Sequence, residues 1–435
     1  MLDIKLLREN PEEVKRGIAA KQADPKLVDT FLKLDLEWRV LTKNIEEKRA
    51  EQKKLSHSIH SGQGSARAIE EGRKNKEEIK ALEEKLSVIE KEREAVWRQM
   101  PNLPLPSVPR GKTEADNAIL REEGKKPEFS FKPKEYTELA EKLGLIDIER
   151  AAKVSGSRFA YLLGDLVRME FALGQFLFET IADPEKLGEI IAKNNLDVKN
   201  TPFIPVLPPV MVNHQSMEGM GYMDRGKDEI YHLPQEDLYL IGTSEQAIGP
   251  MHQDETFDAE RLPLRYVGFS PCFRREAGSY GKDTKGIIRV HQFNKFEMFS
   301  FSLPEKSEEE HRFLLAIEEY LMQALALPYH VLNICTADLG DPAAAKYDVE
   351  AWLPGQNGGK GEYRETHSTS NTTDFQSRRL NIKYKNKEGS GFAHLLNGTA
   401  FSERPLIAIM ENYQTEDGKI AIPKVLQKYV GKKVI

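Results

Sequence analysis

Cysteine is nearly missing from this chain: Cys272 and Cys335 are the only two in 435 residues. Two thiols cannot build a disulfide framework or a thiolate zinc site, so a reducing compartment, the cytoplasm, is expected. Long apolar runs are missing as well. No stretch approaches the ~20 residues that a membrane-spanning helix needs, so no membrane partner is expected. The opening residues, Met1 to Asn10, hold no apolar block of the kind a secretory leader carries. The histidines are scattered and form no metal-binding pattern. A Gly-x-Ser-x-Gly elbow is absent, and the glycine-rich stretch 355–361 lacks the spacing of a phosphate-cradling P-loop. There is no internal repeat. A strong excess of one charge is lacking too: the net charge is −6, which by itself advertises no nucleic-acid partner.

What the chain does have is enough apolar and aromatic material, with 19 Phe and 14 Tyr, to bury cores in two or three domains. From Lys26 to Met100 there is no proline, and the composition is dominated by Lys, Glu, Leu, Ile and Ala. Phe31, Leu34, Trp38, Leu41, Ile45, Leu55 and Ile59 follow steps of three and four, with polar Lys48 and Gln52 continuing the stripe. So do Ile79, Leu82, Leu86, Ile89, Arg93, Val96 and Met100. This is the seam of a coiled coil. Ser61-Gly62-Gln63-Gly64-Ser65 separates the two runs, so they are expected to fold back as an antiparallel helical hairpin, an arm ~40 Å long. The arm carries 17 Lys and Arg against 15 Asp and Glu, an excess of two, which leaves the remainder at −8. A solvated helix pair accounts for that balance as readily as contact with a polyanion does. For phosphate contact the candidates are Arg67, Arg73, Lys74 and Lys76 near the tip. Four prolines between Pro101 and Pro109 stop the helix and make a semi-rigid connector. The expected domains are residues 1–100, a linker over 101–114, and residues 115–435. Beyond the linker, residues 165–181 have helical periodicity. Short β-like runs stand at 239–241, 287–290 and 406–409. Strands and helices do not alternate regularly, so an α+β fold with an antiparallel or mixed sheet is expected.

The densest polar string runs from Pro271 to Phe299. In strand geometry Arg274 and Glu276 share a face, as do Arg289, His291, Phe293, Lys295 and Glu297 on the returning segment. Arg suits phosphate because its planar fork bonds in pairs and stays charged, and an aromatic face suits a purine. A charged hairpin with cross-strand ion pairs explains any one of these residues, but not the whole string at fixed spacing. Two shorter strings also carry chemistry. Thr243-Ser244-Glu245, taken alone, reads equally well as a helix N-cap. In Glu365-Thr366-His367-Ser368, Glu365 alone could serve in a surface ion pair with Arg364 or Lys360.

The 271–299 string resembles motif 2 of the class II aminoacyl-tRNA synthetases, and its Phe-Arg-x-Glu-Ala-Gly, Gly-Lys-Asp-Thr and Arg-Val-His-Gln-Phe elements are similar to those of the seryl-tRNA synthetase family. Pro208-Pro209 stands in a motif 1 setting, Asn397 to Arg404 resembles motif 3, and the N-terminal hairpin completes the likeness. The resemblance implies a class II core with a mostly antiparallel sheet flanked by helices, a homodimer, and ATP and Mg²⁺. It implies a reaction that activates serine as an adenylate and passes it to serine tRNA, with selenocysteine tRNA a second candidate. By resemblance, Arg274, Glu365 and Arg404 are catalytic. Thr243, Ser244, Glu245, Arg274, Glu297, Asn397 and Thr399 bind serine. Arg274, Arg275, Glu276, Val290, Phe293, Glu365, Thr366, His367, Ser368 and Arg404 bind ATP, and Glu365 with Ser368 holds Mg²⁺. Two departures stand out: Thr369 occupies a position usually taken by Cys, and the stretch from Asn397 to Arg404 is one residue shorter than usual, with Glu403 in place of a small residue. Two other readings remain open, a ligase that loads a small amino acid onto another carrier and a non-catalytic paralogue that keeps the fold.

Overall fold

The structure, a computed structural model, describes residues 1–60, 66–277 and 286–435, without the side chains of 58–60, 66 and 68. The expected turn at Ser61–Ser65 and the Gly-Lys-Asp-Thr element of the 278–285 stretch lie outside the described residues, as does the side chain of Ile59. The chain divides into two compact units, Met1–Leu103 and Pro104–Ile435. Among the described residues no helix is long and apolar enough to cross a membrane.

The first unit holds α1 (Ile4–Glu9), α2 (Pro11–Ala20) and the two long helices α3 (Lys26–His60) and α4 (Ala66–Arg98). The heptad seam is where the sequence places it. Phe31, Leu41, Ile45, Ile89, Arg93 and Met100 are buried, and the other described members of the stripe are half-buried because two helices alone cannot enclose it. Cross-helix polar contacts fix the register. Asn75 Nδ2 donates to Lys48 O at 2.9 Å and to Gln52 Oε1 at 3.1 Å, and Lys48 and Arg49 pair with Glu78 and Glu83 at 2.8 and 2.7 Å. Where the hairpin joins the short helices, Asp35 is fully buried among Arg8, Arg39 and Arg93, with contacts of 2.8, 3.2 and 2.9 Å. The Arg93 guanidinium also lies 4.9 Å over the Trp38 ring and 5.2 Å over Phe31. Near the tip, Arg67 and Arg73 are exposed and pair only with Glu71 and Glu77 of their own helix among the ion pairs described.

In the second unit an eight-stranded sheet carries the architecture. Its strands are β1 (Ala118–Glu123), β2 (Ile204–Val206), β3 (Leu264–Phe273), β4 (Gln292–Ser302), β5 (Tyr329–Asn333), β6 (Ala345–Leu353), β7 (Glu362–Asn371) and β8 (His394–Ser402). The spatial order is β1-β5-β6-β7-β8-β4-β3-β2, antiparallel throughout except for the β2–β3 pair. The expected α+β class with a mostly antiparallel sheet is what the chain forms. Helices α5 (Asp165–Ile181), α6 (Ser307–Ala324) and α7 (Arg404–Asn412) share one apolar core with the sheet, through residues such as Leu173, Phe296, Met298, Phe313 and Ile407. Gly174 lets α5 come down onto the Phe296 ring, since a Cβ there would meet it at 2.4 Å.

Two β-like runs behave otherwise than expected. Residues 406–409 lie inside α7, because Pro405 suits the first turn of a helix and a short, fully buried apolar run carries no period of its own. Residues 287–290 precede β4 as turns, and Arg289 and His291 stand before the strand rather than on it.

The buried Asp35 is the ionic hub of the first unit. Asp35→Ala leaves the guanidinium of Arg93 buried without its carboxylate and is expected to destabilise this unit by ~3 kcal/mol. Urea unfolding followed by tryptophan fluorescence measures this; Trp38 and Trp97 both lie beside the cluster.

Candidate active site

The middle of the sheet, where β6, β7, β8, β4 and β3 run side by side, carries a polar cavity of about 330 Å³ on one face. Alternation along β4 sends Phe293, Lys295 and Glu297 into it, and alternation along β8 sends Asn397 and Thr399. Two bulges then change the phase. In β8, Ala400 is an extra residue opposite the Phe296–Glu297 step, so Ser402 and Arg404 reach the cavity while Phe401 turns into the core. In β7, Thr366 is the extra residue, which lets Glu365 and Ser368, three apart, share the cavity face.

One end of the cavity is lined by acid and hydroxyl groups. Glu245 opens a short helix, Glu245–Ile248, directly after Thr243-Ser244, so the tripeptide does begin a helix. Ser244 makes no side-chain cap, however; its Oγ lies 2.8 Å from Ser270 Oγ, behind the wall. Thr243 Oγ1 is buried, lines the cavity and has no hydrogen-bond partner among the described residues. Glu245 accepts from the Tyr222 hydroxyl. Burial, and then the nearby charge of Glu297, push the Glu245 carboxyl up to about 7. Glu297 is paired with Lys295 at 2.6 Å and accepts from Thr399 Oγ1 at 3.2 Å. Behind this group stands Glu318 of α6, fully buried, with neither carboxyl oxygen hydrogen-bonded among the described residues. Burial, then Glu297, push it far above the ordinary carboxylate range, toward the neutral acid. Its Oε1 is 3.1 Å from where a side chain on Gly398 would begin, which keeps that position bare.

The other end is lined by charged side chains and an aromatic ring. Glu276 pairs with Arg289 at 2.7 Å, and Phe293 and Val290 complete the wall. Arg404 lies 3.1 Å from the Glu365 carboxylate and donates to its carbonyl at 3.0 Å. Burial alone would raise Glu365; Arg404 and Lys346 overcome it and pull the carboxyl down to about 2. Ser368 bonds to Asp348, whose other oxygen is buried without a partner among the described residues. Asp348 is pushed up to about 6 by burial, against the pull of Lys346 at 2.9 Å.

Arg274 connects the two ends. It follows the last residue of β3, donates Nε to Gly242 O at 3.3 Å, and its guanidinium lies 5.2 Å from the Phe293 ring centre. Its charge is felt by both Glu245 and Glu365.

Of the residues singled out in the sequence, Thr243, Glu245, Arg274, Glu276, Val290, Phe293, Glu297, Glu365, Thr366, Ser368, Asn397, Thr399 and Arg404 meet in this one wall. Ser244, Arg275 and His367 are not part of it. Arg275 is exposed, and its backbone amide bonds to Glu229 O. His367 is buried, with Nδ1 2.8 Å from Thr366 Oγ1, and burial pushes it down to about 4. Tyr222, Lys346 and Asp348 escaped the sequence reading. For the last two, the alternation Lys346-x-Asp348 in a strand was an available signal; Tyr222, after Gly219 and Gly221, offered none.

Comparison with known proteins decides the family. Residues 1–104 match the family model for the seryl-tRNA synthetase N-terminal domain, and residues 231–413 that for the tRNA synthetase class II core domain (G, H, P, S and T). The serine–tRNA ligase of Dictyoglomus turgidum is 43% identical over 438 residues, covering 99% of this chain and 98% of that one. The chain belongs to the seryl-tRNA synthetase family. The serine–tRNA ligase of Pyrococcus horikoshii is 44% identical over 465 residues, covering 100% of this chain and 97% of its own length. The crystal structure of the Pyrococcus horikoshii seryl-tRNA synthetase complexed with ATP superposes with a TM-score of 0.88 at 42% identity, covering 100% and 99% of the two chains. The cytoplasmic serine–tRNA ligase of Naegleria fowleri, in complex with AMP, gives 0.84 at 36% identity, covering 100% and 98%. Arg404, whose displacement the expected shortening of the 397–404 stretch would have brought about, lines the cavity and is held by Glu365.

The Tyr222 hydroxyl is one of the groups that hold the Glu245 carboxyl down. Tyr222→Phe is therefore expected to move its titration above the present value of about 7. Difference infrared spectroscopy of the carboxyl band across a pH series reads that shift.

Proposed function

We infer that the chain is a serine–tRNA ligase: it condenses serine with ATP to seryl-adenylate and pyrophosphate, then transfers the seryl group to the terminal ribose of serine tRNA. The observation that carries this is the placement of Arg274 between an acid and hydroxyl end and an Arg–Phe–Glu end of one cavity, in a chain of this family. At the first end Glu245 receives the α-ammonium, and Thr243 stands open beside it. Glu297, Asn397 and Thr399 receive the side-chain hydroxyl. A pocket built to bond a hydroxyl rejects alanine, whose binding would leave those groups unpaired. At the other end Phe293 and Arg404 enclose the adenine and Glu276 reads its amino group.

A serine carboxylate oxygen attacks the α-phosphorus, the bond to the β-phosphate oxygen breaks, and pyrophosphate leaves. Arg274 lies against both the serine carboxylate and the α-phosphate, so it meets the negative charge that gathers in the transition state. The 3′-hydroxyl then attacks the carbonyl carbon and AMP departs. No side chain need act as general base; positioning and charge do the work. Mg²⁺ would neutralise phosphate charge here. Glu365, ionised at any working pH, and Ser368 beside the half-satisfied Asp348 would hold it, since hard oxygen donors are what this ion takes. The helical arm recognises tRNA by shape and backbone, with Arg67, Arg73, Lys74 and Lys76 on phosphates. A second copy of the chain is the structural partner; exposed Ile204 on the edge strand β2, together with exposed Leu207, Met211 and Phe171, supports a dimer face.

Serine-dependent exchange of labelled pyrophosphate into ATP tests the first step, with alanine, glycine and threonine alongside. Exchange with serine and not alanine is expected; exchange with none of the four contradicts the reading. Arg274→Ala is expected to lower kcat for exchange by ~10²- to 10³-fold. Because Glu245 must be ionised to hold an ammonium, KM for serine is expected to rise by about tenfold per unit as pH falls below about 7. On the arm, Lys74→Ala with Lys76→Ala is expected to weaken tRNA binding and flatten its salt dependence by about one unit of slope per lost contact, leaving pyrophosphate exchange unchanged; filter binding over a salt series measures this.

A further inference from the structure

Strand β8 ends at Ser402 and α7 begins at Arg404, so Glu403 is the single residue between them. Its side chain is 7% exposed and forms part of the cavity wall. The β4–β8 ladder ends at the pair Lys295–Ser402, which leaves the amide of Asn294 beyond it. Glu403 takes up that amide: Oε1 accepts from Asn294 N–H at 3.0 Å. The Asn294 side chain donates Nδ2 to Glu170 Oε1 at 2.8 Å. Glu170 sits on α5 and is likewise 7% exposed. Three side chains thus tie α5, the start of β4 and the start of α7 together. Phe293 immediately precedes Asn294, and Arg404 immediately follows Glu403.

We propose that Glu403 is a positioning residue for ATP: by holding the Asn294 amide it fixes the spacing between Phe293 and Arg404, the two walls of the adenine slot. This rests on the ATP-binding reading above. Glu403 touches no reacting atom; it acts through the residues beside it.

A neutral carboxyl suits this place. Burial pushes Glu403 up to about 8, Glu170 on α5 pushes in the same direction, and the Asn294 amide opposes them. Glu170 is itself raised by burial, against the Asn294 side chain. On α7, the neighbouring Arg404 is engaged by Glu365. Near neutral pH the Glu403 carboxyl is protonated. As pH rises through about 8 it ionises inside the protein; burial and Glu170 then oppose the charge by more than the Asn294 amide supports it, and the tie between the two walls is strained.

The test is ATP binding by calorimetry without serine, together with KM for ATP in serine-dependent exchange, from about pH 6.5 to about pH 9. Wild type, Glu403→Gln and Glu403→Ala are compared. Wild type is expected to lose ATP affinity several-fold toward the alkaline end. Glu403→Gln keeps an acceptor for the amide and cannot ionise, so it is expected to bind ATP well near neutral pH and to lack the alkaline fall. Glu403→Ala is expected to weaken ATP binding about tenfold, with kcat much less affected. If the alanine variant does not fold, the comparison of wild type with the glutamine variant decides. Wild type and Glu403→Gln following one pH curve, or a folded Glu403→Ala binding ATP like wild type, overturns the proposal. ATP binding in the expected pattern without serine-dependent exchange would refute the activity and leave the positioning role standing.

Discussion

Everything at the cavity depends on holding many charges out of water on one face of a sheet. Glu245, Glu297, Lys295, Lys346 and Asp348 are all buried or nearly so. An isolated buried charge is costly enough that it normally neutralises, and a buried pair is tolerated only with close, well-bonded partners. The protein uses both solutions. Lys295 and Glu297, Lys346 and Asp348, and Arg404 and Glu365 are set close together in pairs. Glu318 and Glu403 are pushed toward the neutral acid, and Glu245 stands at the balance point. That distribution leaves Arg274 as the cation reaching toward both ends. It is the group a reaction between two anions, a carboxylate and a phosphate, requires.

The backbone that makes this possible is a long antiparallel ladder with two interruptions. A strict period of two would have put Glu365 and Ser368 on opposite faces and turned Arg404 away from Asn397. The bulges at Thr366 and Ala400 remove that conflict within single strands. The same ladder stops at Lys295–Ser402, and the side chain of Glu403 carries its hydrogen bonding one residue further. Strand phase, ion pairing and slot width are therefore one problem with one solution.

Much of this was legible in the sequence, for reasons that differ by element. The α3–α4 hairpin announced itself because a seam repeated over many turns has no competing reading. Residues 165–181 form the helix their period indicates, and Phe293, Lys295 and Glu297 share a face as a strand demands. The apolar run 406–409 did not, because four buried residues have no period to read and Pro405 decided the outcome. Ser244 and His367 lie near their expected companions yet point elsewhere, since a motif fixes neighbourhood and the local backbone fixes direction. Tyr222 could not be found at all. It reaches Glu245 across 23 residues of chain, a contact created by packing and not by pattern.

The central claim is that this cavity makes a seryl ester on tRNA. The most direct measurement is attachment of labelled serine to a serine tRNA transcript by the purified protein, with an alanine tRNA transcript as control. The account predicts label on the serine tRNA 3′ end that depends on ATP and disappears with Arg274→Ala. Adenylate formed without any transfer to serine tRNA, or equal charging of both tRNAs, would contradict it.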